Sequence, residues 1–182
     1  MKSVLISIKP QWCEKIASGK KTIEVRKSAP KETPFKCYIY CTKAKNKWSL
    51  CDYEGAYQNS EGEIVYAQQR IIGDFVCDKV EKFAVGSLRS DDIEKLACLS
   101  YTEMINYFYK PEELDGNTSK FGYAWRISDL KIYDTPKELS EFQKPCKMDL
   151  PMCDRCEYYS IWSGHCENIT RPPQSWCYVE EE

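Results

Sequence analysis

Gly19-Lys20-Lys21-Thr22-Ile23-Glu24-Val25-Arg26-Lys27 is the stretch on which the fold turns, because the chain changes periodicity inside it. Upstream, Trp12, Cys13, Ile16 and Ala17 form an apolar stripe at helical spacing, opened by Pro10, which suits a first helical turn, and closed by Gly19. Downstream, Ile23 and Val25 alternate with Glu24 and Arg26, the period of a strand. Val4 to Lys9 alternates in the same way, with Val4, Ile6 and Ile8 on one face, as a half-buried strand would. A strand, a short helix and a second strand are therefore expected within the first 27 residues.

Working outward, Phe35 to Thr42 reads as a third strand and Arg70 to Lys79 as a fourth. Between them, Lys43 to Gln69 is polar and irregular with a turn at Ser60-Glu61-Gly62, which suggests a long loop or a hairpin excursion. Ser90 opens a helix running to Leu99, and Ser100 with Glu103 forms a capping box for another, ending near Tyr109. After a turn at Asp115-Gly116-Asn117, Gly122 to Tyr133 is a long strand, bent near Ser128-Asp129 where the alternation slips. Thr135, Pro136 and Glu138 start a last short helix, ending near Phe142. The class is α+β. A composition change near Lys144 divides the chain into a main domain over 1–144 and a cysteine-rich tail over 145–182.

With 42% apolar and 13% aromatic residues, the chain can build a core, so disorder throughout is not expected. No apolar run approaches the ~20 residues of a membrane helix. Met1-Lys2-Ser3 leads directly into a strand without a signal-peptide stretch, so a cytoplasmic protein without a membrane partner is expected. The net charge of −2 conceals an asymmetry: residues 1 to 47 carry twelve Lys/Arg and three Glu, a net of +9, and the rest of the chain carries −11. Clustered basic charge is the footprint of a polyanionic partner, although it also describes a merely solvated lysine-rich surface.

Ser7-Ile8-Lys9-Pro10, the helix after it and the Gly-Lys-Lys-Thr-x-Glu-x-Arg core resemble the signature of ASCH domains, small β-barrels of the PUA-like superfamily. Ile72-Gly73-Asp74-Phe75, Tyr123-Ala124-Trp125-Arg126-Ile127 and Ile132-Tyr133 extend the resemblance, which spans roughly residues 4 to 142. It implies an α+β PUA-like pseudo-barrel with short flanking helices and a cleft beside the first helix, lined by the signature residues. It further implies a partner that is RNA or a modified nucleotide. Some small ASCH proteins instead remove acyl groups from N4-acylcytidine nucleosides. In those, a motif lysine matches Lys21, but the nucleophilic threonine three residues later is replaced here by Glu24. Their further catalytic glutamate lies in the helical segment, where Glu103 is a candidate.

The residues themselves support a binding site. Glu24 and Arg26 share one strand face about 6–7 Å apart, with Lys20 and Lys21 at the entering turn and Lys9 beside the first helix. A carboxylate among cations can accept from a base amino group while the cations hold phosphate or carbonyl oxygens. Alternatively the set is an ordinary charged strand face. If the protein is an enzyme, Lys21 and Glu24 are the catalytic candidates, although a carboxylate held charged between cations suits orienting a ligand better than taking a proton. Trp12, Trp125, Tyr101 and Tyr107 are candidate stacking platforms, although residues of these types more often fill cores; Trp12 is expected buried.

Of the eleven cysteines, Cys13, Cys37, Cys41, Cys77 and Cys98 sit at or beside apolar positions and read as core; Cys37 and Cys41, about 13 Å apart on a strand, cannot share an ion. Cys51 is unassigned. In the tail, Cys153-x-x-Cys156 has the spacing of a zinc knuckle, and Cys166 and Cys177 could complete a structural zinc site, with Cys146 or His165 as substitutes. Packed reduced cysteines are the alternative. Trp162, Trp176 and the tail tyrosines leave open a protein-binding adaptor as a third role.

Overall fold

The computed structural model describes residues 1–43, 56–87, 90–113, 119–145 and 168–181. Its first elements are β1 (Ser3–Ile8), α1 (Pro10–Ala17), β2 (Ile23–Arg26) and β3 (Phe35–Cys41), the unit expected from the alternation switch. A small hairpin follows, β4 (Tyr57–Gln58) and β5 (Ile64–Val65), folded about Asn59 to Gly62. Then come β6 (Ile71–Cys77), β7 (Val80–Ala84), α2 (Ser90–Ala97) and α3 (Tyr101–Phe108). The chain ends with β8 (Phe121–Arg126), β9 (Ser128–Lys137), β10 (Phe142–Gln143) and β11 (Trp176–Glu181).

Two sheets enclose the core. Six strands lie in the order β10-β11-β1-β3-β6-β9, with β1 and β3 parallel and their other neighbours antiparallel. A second sheet, β2-β8-β7, is antiparallel. The long strand expected over Gly122 to Tyr133 is in fact two, parted at Ile127: β8 belongs to one sheet and β9 to the other, and Asp129 takes a positive φ of 48° just past the break. The slip in alternation marks a change of sheet. Gly73 is required where β6 meets β9, since a Cβ there would collide with the carbonyl of Lys131.

Val4, Ile6 and Ile8 of β1 pack with Cys13 and Ile16 of α1, Phe35, Ile39 and Trp125 between the sheets. The other face of β1 is not solvated as expected. Leu5 is buried with Tyr38, Phe142, Ile169 and Val179, because β10 and the end of the chain fold back over it. The last strand, drawn in sequence as part of an appended tail, is paired to β1 inside the main sheet. A third cluster, Val25, Phe83, Ile93, Ala97, Met104, Phe108 and Ala124, lies under α2 and α3 on the outer face of the small sheet. The capping box of Ser100 and Glu103 forms with both its bonds, while the expected helix before Phe142 is a single 3-10 turn, Leu139–Glu141. Among the described residues, no helix is long and apolar enough to cross a membrane.

Candidate functional site

Among the described residues, a cleft of about 880 Å³ opens where the end of β1, the first turn of α1, β2, α3 and the residues just before β11 converge. Its floor is charged and buried. Lys21, Glu24 and Arg26 are 2%, 6% and 7% exposed, values that charged side chains reach only when paired. Glu24 Oε1 lies 2.9 Å from Arg26 Nη2, and Glu24 Oε2 lies 3.2 Å from Lys21 Nζ, so each carboxylate oxygen holds one cation. The three carry a net charge of +1.

The local fold explains how each member is held. Gly19 turns the chain out of α1 at φ +71°, and Lys21 N–H donates back to the Lys15 carbonyl. Lys21 Nζ then donates to the Ala97 carbonyl at 2.8 Å. That carbonyl ends α2 and would otherwise lack a partner. Thr22 N–H takes the Leu96 carbonyl, and Leu99 and Cys98 N–H take those of Glu94 and Lys95. All four terminal carbonyls of α2 are thus satisfied, two of them by the motif. Arg26 is anchored from the opposite side: Nη2 donates to the Ser7 carbonyl at 2.7 Å, and Nη1 lies 3.4 Å from both the carbonyl and hydroxyl oxygens of Ser175.

Above the floor the cleft stays cationic. Lys9, Lys27 and Lys43 are exposed on its rim and none forms an ion pair among the described residues. The rim carboxylate is Glu103, whose bond from the Ser100 backbone N–H, helped by the Ser100 hydroxyl, lowers its pKa. Trp12 and Tyr107 supply aromatic surface. Trp12 is half-buried rather than buried as expected, because one side packs on the core and the other lines the cleft; the ammonium groups of Lys15 and Lys21 sit 4.6 and 5.6 Å from its ring centre. Tyr107 has Lys27 over its ring at 5.2 Å, and burial raises the pKa of its phenol.

Several sequence candidates fall elsewhere. Lys20 is exposed and does not line the cleft; its carbonyl accepts a hydrogen bond from Cys98 Sγ. Trp125 is fully buried between Phe35 and Trp176 and cannot serve as a platform. Tyr101 is 56% exposed but lies outside the cleft lining. Trp176 is half-buried, packs on Trp125 and Tyr178 and donates to Ser28 Oγ. Cys13, Cys37, Cys41 and Cys77 are buried core residues, whereas Cys98 is half-exposed in a left-handed turn after α2. Cys51, Cys153, Cys156 and Cys166 lie outside the described residues, as do the alternates Cys146 and His165. Cys177 is on β11, half-buried beside Phe142 and Ile169. No cluster of three or more metal-ligating side chains occurs among the described residues.

Gln174 and Ser175 line the cleft and were not legible as site residues. They reach it only because Ser7 N–H donates to the Ser175 carbonyl and Ser7 Oγ to the Pro173 carbonyl, contacts across more than 160 residues of sequence.

Solved structures share this architecture. The crystal structure of ASCH from Zymomonas mobilis matches 98% of this chain and 88% of its own, with a TM-score of 0.56 and 19% identity. The chain adopts the ASCH fold. Two single-substitution variants of the same Zymomonas mobilis protein align equally well, at TM-scores of 0.55 and 0.56 and 18% identity. No protein-family model and no curated protein matches the sequence. In this ASCH fold, the motif residues Lys21, Glu24 and Arg26 meet at the floor of the cleft, whereas Lys20 stands outside it.

Proposed function

We propose that this protein is an RNA- or nucleotide-binding ASCH module whose ligand enters the cleft over Lys21, Glu24 and Arg26. The observation that carries the reading is the buried, net-positive trio at the base of a cleft with three exposed lysines on its rim. Phosphates suit the rim, where exposed ammonium groups act as point charges. A base suits the deeper part, where Trp12 and Tyr107 offer ring faces for stacking and the trio offers both donors and an acceptor.

Binding accounts for the geometry better than acyl hydrolysis does. Glu24 has each oxygen committed to a cation, and Lys21 is committed to a helix carbonyl as well, which describes a rigid recognition surface rather than a mobile proton carrier. The rim lysines provide the test, because their exposure separates ligand binding from folding. Replacing Lys9, Lys27 and Lys43 with alanine should weaken binding of a single-stranded RNA at low salt. It should also flatten the slope of log affinity against log salt by up to about two. An unchanged slope, or no RNA or nucleotide binding by the parent protein at low salt, overturns the reading.

A further inference from the structure

We infer that the cleft floor reads the imide edge of a uracil base, its two ring carbonyls and the N3–H between them, through Arg26, Glu24 and Lys21. The inference rests on the nucleotide-binding reading above and names the base that reading leaves open. The order of groups along the floor is donor, acceptor, donor, because the single carboxylate stands between two cations at 2.9 and 3.2 Å. All three members have capacity to spare. Each carboxylate oxygen carries a second lone pair. An ammonium has three N–H groups, of which Lys21 spends one on the Ala97 carbonyl and one on Glu24. Arg26 spends Nη2 on Ser7 and Glu24, but its Nη1 makes only 3.4 Å contacts to Ser175.

The complement of donor, acceptor, donor is acceptor, donor, acceptor. Uracil presents that order as O2, N3–H, O4. Cytosine presents a donor and two acceptors, and its N3 lone pair would face the Glu24 carboxylate. Guanine presents one acceptor and two donors, leaving one cation against an amino group. Adenine lacks the third group. On a floor this buried, a mismatched edge leaves a buried group facing one it cannot bond, which discriminates strongly. The aromatic walls do not discriminate, since every base has a ring face to stack.

The test uses the full chain and fluorescence anisotropy with labelled single strands about ten nucleotides long, made of uridine, cytidine, adenosine or N3-methyluridine, and uridine monophosphate as competitor. The uridine strand should bind roughly tenfold or more tighter than the cytidine and adenosine strands. N3-methylation, which removes only the central donor and adds a methyl group, should abolish that advantage. Uridine monophosphate competing as well as the strand identifies a free nucleotide as the natural source and keeps the imide reading; weak competition identifies RNA. Equal, salt-dependent binding of all strands, or undiminished binding of the N3-methyluridine strand, overturns the inference while leaving nucleic-acid binding in place. No binding of any probe overturns both. Glu24→Gln replaces the central acceptor with a group that also donates, so the preference for uridine over cytidine should shrink to within about threefold. If that variant fails to fold, the N3-methyluridine comparison decides alone.

Discussion

Removing charges from the cleft floor should produce an order of stabilities that only a net-positive buried trio predicts. Lys21, Glu24 and Arg26 together carry +1 in a setting where each is at least nine-tenths buried. Lys21→Met keeps the aliphatic stem, takes the trio to zero and loses two hydrogen bonds, those to the Ala97 carbonyl and to Glu24. Leaving a buried helix carbonyl without its donor costs about 1–3 kcal/mol. Glu24→Gln is nearly isosteric but takes the trio to +2, with two buried cations and no counter-charge. Breaking a buried pair in this way costs about 3–5 kcal/mol. The double variant returns the charge to +1, so its cost should fall short of the sum of the two single costs by a coupling of about 1–3 kcal/mol. Urea denaturation followed by tryptophan fluorescence, at fixed ionic strength, measures all three. For a domain with the usual total stability of about 5–15 kcal/mol, each variant should remain measurable. If Lys21→Met costs as much as Glu24→Gln, or if the two changes are additive, the trio is not a coupled buried network and the cleft floor has been misread.

Three further outcomes are expected. We propose one structural zinc per chain, held by Cys153, Cys156, Cys166 and Cys177; elemental analysis of protein purified without added metal should find about one equivalent, and Cys153→Ser with Cys156→Ser should remove it. Metal-free protein of equal stability defeats this. Asp78 is held down to about 2 from an ordinary 3.8, chiefly by its hydrogen bond from the Arg126 guanidinium. Its folded value is depressed, so its contribution is present above about 3.8 and lost as pH falls through about 2. Asp78→Asn should therefore flatten the acid limb of a stability-versus-pH curve in that window, and an unaltered limb would contradict the pairing. Incubation with N4-acetylcytidine should yield no cytidine by chromatography; turnover abolished by Lys21→Ala would promote the hydrolase reading instead.

The sequence was most legible where local chemistry and the final fold agree. Pro10 and Gly19 bracket α1, Ser100 and Glu103 cap α3, and the alternation through Glu24 and Arg26 places both side chains on the same side of β2. Reading failed where the deciding partner is distant. Leu5 occupies the polar face in the local pattern, yet it is buried because Phe142, Ile169 and Val179 arrive from the far end of the chain. Trp125 carries the aromatic character of a stacking platform, but Phe35 and Trp176 close over it from strands that local periodicity does not connect. Ser175 reaches Arg26 only through pairing beside β1, so no spacing rule could have placed it in the cleft. Lys20 and Lys21 are adjacent and identical in type, and the turn after Gly19 alone sends one to the surface and the other to the floor.

That last difference separates a charged surface from a built site. A solvated lysine costs little and contributes little, and Lys20 is of that kind. Taking Lys21, Glu24 and Arg26 out of water costs several kcal/mol per ion, and their mutual attraction returns this only with good geometry. For stability alone, an apolar trio of similar volume would do as well or better, since Val25 beside them already packs into the cluster under α2 and α3. The end of α2 could likewise be closed by backbone donors of the kind that serve Glu94, Lys95 and Leu96. Lys21 closes the last carbonyl of α2, a task that a backbone donor can also perform, and Glu24 is not required for the strand. Their shared position at the base of an open cleft, with unspent donors and lone pairs, is where a fold departs from its own cheapest solution, and such departures concentrate at functional sites.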